Sequence, residues 1–93
     1  MEKYFKFELR VIDAWGDPEG HWVWNTSYVL ADDLVFHEKE LTPRKLLKAL
    51  RNWGYLSQES KGRVRVVDEG DLIEIQEKNT GMPLLALLLC DES

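Results

Sequence analysis

The sequence predicts an α+β fold: one antiparallel sheet of five to six strands, ordered β-β-(β)-α-β-β-β, with one helix packed on one face. Three observations predict it. From Tyr4 to Asp13 apolar and polar side chains alternate, the period of a half-buried strand. Only the stretch from Thr42 to Gly54 carries apolar residues at helical spacing between a start and a stop signal. Three short apolar segments then follow, joined by Asp-Glu-Gly-Asp and Asn-Thr-Gly turns, and connections that short force antiparallel neighbours. At 93 residues the chain has the length of a single domain, residues 1–93.

In the first strand Phe5, Phe7, Leu9 and Val11 point one way, and Lys6, Glu8 and Arg10 the other. Asp17-Pro18-Glu19-Gly20 then reads as a type I turn. Asp bonds the backbone ahead of it, Pro sets φ at the second position and Gly takes the exit geometry. His21 to Leu30 forms the second strand, with Trp22, Trp24 and Tyr28 on one face and Val23 and Val29 on the other. The two strands pair as a hairpin whose loop is expected to hold about seven to nine residues, longer than the usual 2–5. Long loops more often carry function. Asp32-Asp33 ends the strand, and Leu34 to His37 forms a short third one.

Thr42 as N-cap and Pro43 at the first helical position open the helix. Leu46, Leu47, Leu50 and Trp53 make its apolar face, and Gly54 stops it. Arg44 and Lys45 in the first turn oppose the helix dipole, each at a cost of up to about 1 kcal/mol. That cost points to a use for the charge other than helix stability. Val64 and Val66 oppose Arg63, Arg65 and Val67 in the next strand, and Ile73 and Ile75 oppose Glu74, Gln76 and Lys78 in the one after. The last strand, Leu84 to Cys90, is apolar on both faces. It is expected either at the centre of the sheet or at a homodimer interface.

Composition and charge narrow the function. The longest apolar run is Leu84 to Cys90, against the roughly 20 residues a membrane helix needs. The charged, alternating N-terminus is unlike a signal peptide, and a single cysteine cannot form an internal disulfide. A cytoplasmic protein is expected, with no membrane contact. The net charge is −5, but the stretch from Arg44 to Arg65 holds seven bases and one acid, net +6, which leaves −11 elsewhere. The chain is electrostatically polarised.

The chemically densest stretch is Asp13 to Tyr28, with Trp15, Trp22, Trp24 and His21. Trp22 and Trp24, alternating along a strand, are expected in the core. Trp15 lies in the loop, where an exposed tryptophan serves as a contact for a partner. The partner-binding residues are therefore expected to be Trp15, Asp17, Glu19 and His21. A basic face of Arg44, Lys48, Arg51, Arg63 and Arg65 is the second candidate, for nucleic-acid phosphates or an acidic protein. Neither His21 nor His37 has a ligand at metal spacing, and Asp68, Glu69 and Asp71 lack the oxygen spacing of a calcium loop. Cys90, in an apolar strand, is expected to be buried and inert. No catalytic residues, metal or cofactor are expected.

Asp13-Ala14-Trp15-Gly16-Asp17, followed by Gly20, Trp22 and Asn25, resembles a pattern in small uncharacterised proteins of bacteriophages and mobile elements. There a strand ends in Asp-x-Trp-Gly, an acidic turn with glycine follows, and an asparagine-containing strand comes next. The resemblance extends over roughly the first 55 residues and includes the short apolar-basic helix near Leu46 to Trp53. It implies an intracellular accessory protein made during phage infection. The expected function is a small non-enzymatic protein-binding module, an inhibitor or modulator of a host protein. The alternative is a nucleic-acid-binding accessory protein that uses the basic helix and the strand after it.

Overall fold

All five strands, β1 (Tyr4–Gly16), β2 (Trp22–His37), β3 (Val64–Asp68), β4 (Leu72–Glu77) and β5 (Pro83–Glu92), join one antiparallel sheet in the order β2-β1-β5-β4-β3. The computed structural model describes residues 2–92. The helix α1 (Pro43–Asn52) lies between β2 and β3 in the chain. Single 3-10 turns occupy Glu38–Glu40 and Gln58–Ser60.

The core follows from strand alternation. Phe7 and Leu9 of β1, Phe36 of β2, Ile73 and Ile75 of β4 and Leu85 and Leu87 of β5 form one buried cluster. Cross-strand partners share a face of a sheet, and the rows Leu9–Leu87–Ile73 and Val11–Leu85–Ile75–Val66 run straight across it. Leu46 and Leu50 of α1 are buried in the same cluster. Among the described residues no polar or charged side chain is fully buried.

Both ends of α1 carry the expected signals. The Thr42 hydroxyl accepts from the Lys45 N–H at 3.4 Å, and Pro43 is the first helical residue. At the far end Gly54 sits at φ +86, with Gly54 N–H donating to Arg51 O and Tyr55 N–H to Leu50 O. Those are the two bonds of a Schellman motif, which needs a residue in left-handed geometry after the cap.

β5 is the middle strand, hydrogen-bonded to β1 on one side and β4 on the other. Its apolar character is explained by that position. Of the two expected positions, the centre of the sheet or a homodimer interface, β5 takes the first, and a strand paired along both sides offers no backbone edge to a second copy. Cys90 is exposed, not buried. It is the extra residue where β5 shifts register against β1, between Lys6↔Asp91 and Phe7↔Leu89.

β2 departs most from expectation. It is one strand of 16 residues, and Leu34–His37 is its last stretch, not a third strand. Asp33 takes φ 57 and the register against β1 steps from Phe7↔Leu34 to Leu9↔Ala31. The acidic pair thus kinks the strand where it was expected to end it. Two further steps place single extra residues at Leu30 and Asn25. Each extra residue flips the face of everything beyond it. Tyr28 therefore pairs with Val11 on the core side, while Trp24 pairs with Ala14 and Trp22 with Gly16 on the opposite side. The expected sharing of one face by Trp22, Trp24 and Tyr28 fails at Asn25, and that of Val23 and Val29 fails with it.

Candidate functional site

The hairpin loop contains five residues, Asp17 to His21, between Gly16 and Trp22. It is shorter than expected because β1 and β2 both continue toward the turn. Asp17 holds it closed. Its Oδ1 accepts from Glu19 N–H at 2.9 Å and His21 N–H at 2.8 Å. Its own N–H donates to His21 O at 2.8 Å, and its carbonyl accepts from Gly20 N–H at 3.0 Å. Gly20, at φ +90, makes the exit. His21 Nδ1 lies 3.4 Å from Asp17 Oδ2 and 4.0 Å from Glu19 Oε2, with the imidazole largely in solvent. Asp17 is thus a turn-former first, and of the expected contact residues within this loop Glu19 and His21 are the exposed ones at the tip.

The tip stands at the end of an arm. Pairing between β1 and β5 ends at Val11↔Leu85, whereas pairing between β1 and β2 continues to Gly16↔Trp22. From Ile12 outward the hairpin is a two-stranded ribbon, which is marginally stable alone. The molecule is correspondingly long, 47 × 25 × 20 Å. One long-range side-chain contact ties the arm to the β4–β5 turn. The Trp22 indole N–H donates to Thr80 O at 2.8 Å, and the ring edge lies 3.9 Å from the point where a Cβ on Gly81 would stand. Neither Trp22 nor Trp24 is in the core, contrary to expectation; both are half-buried. With Arg65, Glu74 and Gln76 they line a shallow depression on the face opposite the core. Gly16 leaves room for the Trp22 ring, since a Cβ there would sit at 3.6 Å.

Trp15 is half exposed, at 50%. Its cross-strand neighbour is Val23, also exposed, and Tyr28 lies exposed on the same side of the ribbon. More broadly, seven of the eight exposed large hydrophobic side chains among the described residues belong to β1 and β2: Tyr4, Trp15, Val23, Tyr28, Val29, Leu30 and Val35. Six of them had no place in the sequence reading of the site. Their exposure depends on β2 being an edge strand, and strand order is not written in local periodicity.

The five expected bases do not share one face. Arg44, Lys48 and Arg51 line a groove of about 620 Å³ along α1, joined by Lys61 from the loop before β3. Arg63 lines a different depression, beside Glu59 and Glu77. Arg65 donates from Nε to Gln76 Oε1 at 3.0 Å, beside the tryptophans on the face opposite the core. Lys61 was missed because it follows a polar loop with no pattern; folding places it beside the helix.

His37 is half-buried, its Nδ1 accepting from Lys39 N–H at 3.1 Å as the cap of a 3-10 turn. No group of three or more metal-ligating side chains occurs among the described residues, and none of their helices is long and apolar enough to cross a membrane. Comparison with protein-family models, with curated proteins and with solved structures gives no match to this chain.

Proposed function

We propose that the protein is a small non-enzymatic protein-binding module whose contact surface is the β1–β2 hairpin. The concentration of exposed apolar side chains on that hairpin carries the proposal. Contiguous exposed apolar surface at a polar rim marks interaction sites, and tryptophan and tyrosine supply large contact area at little entropic cost. In this reading α1 covers only the core-side face of the sheet, so the arm beyond it keeps Trp15, Val23 and Tyr28 open to a partner. Glu19 and His21 form the polar rim at the tip. β2, as an edge strand, also offers unpaired backbone groups between its kinks, a second source of affinity for an extended partner segment. The Asp-x-Trp-Gly resemblance supports a setting inside a phage-infected bacterium, with the module acting as a modulator of a host protein.

The test is affinity capture from bacterial lysate with wild type, Trp15→Ala and Trp53→Ala. Trp53 is also exposed, at 47%, but lies outside the hairpin. The proposal expects a protein held by wild type and Trp53→Ala and lost by Trp15→Ala. Identical capture by all three contradicts it.

A further inference from the structure

We infer that the groove along α1 is a second binding site, independent of the hairpin, and that it takes a short acidic peptide segment of a partner protein. Arg44, Lys48, Arg51 and Lys61 line it, with Asn52, Gln58 and Leu47 between them and no acid among the lining residues. Four like charges lining one groove give it a positive potential that favours an anion. Arg44, Lys48 and Lys61 make no ion pair among the described residues, although the chain has 17 acids against 12 bases. The groove therefore keeps its positive charge without a neutralising acid in its lining.

One arginine is held in place. Arg51 Nε donates to Ser60 Oγ at 3.0 Å, and Ser60 Oγ in turn donates to Ser57 O at 2.7 Å. Ser60 fixes the guanidinium through Nε, and its two terminal nitrogens make no hydrogen bond among the described residues. A guanidinium oriented in this way presents a fork that matches a carboxylate. Leu47 adds an apolar contact for the stem of a Glu side chain.

Dimensions and charge select the ligand. Arg44 and Arg51 are seven residues apart on one helix, about 10 Å along its axis. An extended peptide covers about 10 Å with three residues, so a run of three to five acidic residues fills the groove. A nucleic acid is a long polyanion and would run beyond the groove onto a molecule whose net charge is −5. The sequence pI of about 5.0 is far from the strongly basic balance of nucleic-acid-binding domains. The separation of Arg63 and Arg65 from the groove removes the continuous basic track a strand would follow.

Fluorescence anisotropy tests the inference with a dye-labelled peptide of four glutamates flanked by Gly-Ser, its all-Gln counterpart and a 20-nucleotide single-stranded DNA. Titrations run at about 20 mM and 500 mM salt, the range over which exposed charge pairs become screened. The proteins are wild type, Lys48→Glu/Lys61→Glu, Ser60→Ala and, as a control outside the groove, Lys78→Glu. All four substituted side chains except Ser60 are exposed, and far-UV circular dichroism confirms that each variant is folded. Wild type and Lys78→Glu are expected to bind the Glu peptide at low salt and release it at high salt. The double reversal should weaken binding by roughly tenfold or more, and Ser60→Ala by a few-fold. No binding of the Glu peptide by wild type, equal binding by the double reversal, equal binding of the Gln peptide, or tighter binding of the DNA overturns the inference. The hairpin proposal stands or falls separately, since none of these substitutions touches β1 or β2.

Discussion

The Trp22 indole reaches across the end of β1 to donate to the Thr80 carbonyl, 58 residues away in sequence, at 2.8 Å. Among the described residues it is the one side-chain hydrogen bond between the two-stranded arm and the β4–β5 turn. Trp22→Phe keeps the ring and removes the donor, so it should cost about 1 kcal/mol. The loss should be local: amide exchange in residues 12–16 and 22–27 should speed up well before that of β4 and β5. Uniform acceleration across the sheet would show that Trp22 is not the tie.

Glycines at the arm should separate by backbone geometry. Gly20 stands at φ +90, where a Cβ is opposed by about 1–2 kcal/mol, so Gly20→Ala should lower stability by that amount. Gly16 has ordinary φ, and its Cβ would meet the Trp22 ring at 3.6 Å, normal contact distance. Gly16→Ala should be neutral or mildly stabilising. Urea unfolding of the two variants gives the comparison directly.

Arg44 sits in the first turn of α1, where no acid accompanies it. Arg44→Glu should stabilise the protein by roughly 0.3–1 kcal/mol through the helix dipole. The same substitution should weaken binding of the Glu peptide. A gain in stability together with a loss of binding is the pattern of a residue kept for its ligand; loss of both would mean that the arginine holds the fold.

Cys90 should react with Ellman's reagent in the native protein, without denaturant, because it lies exposed where β5 shifts register. Reaction only after unfolding would return it to the core.

The Tyr4 phenol donates to Glu2 Oε2 at 3.2 Å. That hydrogen bond, then the charge of Glu2, raises its pKa above the ordinary 10.0. The interaction contributes below the ordinary phenol pKa and is lost as pH rises through the raised one. Glu2→Gln should bring the titration of Tyr4, followed by NMR, down towards the ordinary value. An unchanged midpoint would rule out the contact.

Local pattern made much of this architecture legible. The alternation of Phe5 to Val11, the Thr42-Pro43 start and Gly54 stop of α1, and the Gly70 and Gly81 turns all lie where short-range chemistry puts them. What escaped is non-local. Extra residues at Asn25, Leu30 and Asp32-Asp33 leave no mark on composition, yet each reverses the faces of β2. Trp22 looked like core because strand alternation cannot say that the row it faces ends in Gly16 and a turn at Thr80-Gly81. The basic residues looked like one face because Arg63 and Arg65 follow α1 in sequence; β3 alternation sends Arg65 to the side of the sheet opposite the core.

The central claim is that the hairpin binds a protein. With the captured partner purified, isothermal titration against wild type, Trp15→Ala/Val23→Thr/Tyr28→Thr and Trp53→Ala tests it most directly. Removing a cluster of aromatic and apolar contacts from a binding centre costs several kcal/mol, so the triple variant should bind roughly a hundredfold or more weakly. Trp53→Ala should stay within about threefold of wild type, less than the 1 kcal/mol that marks a contributing contact. A folded triple variant that binds as tightly as wild type would contradict the account.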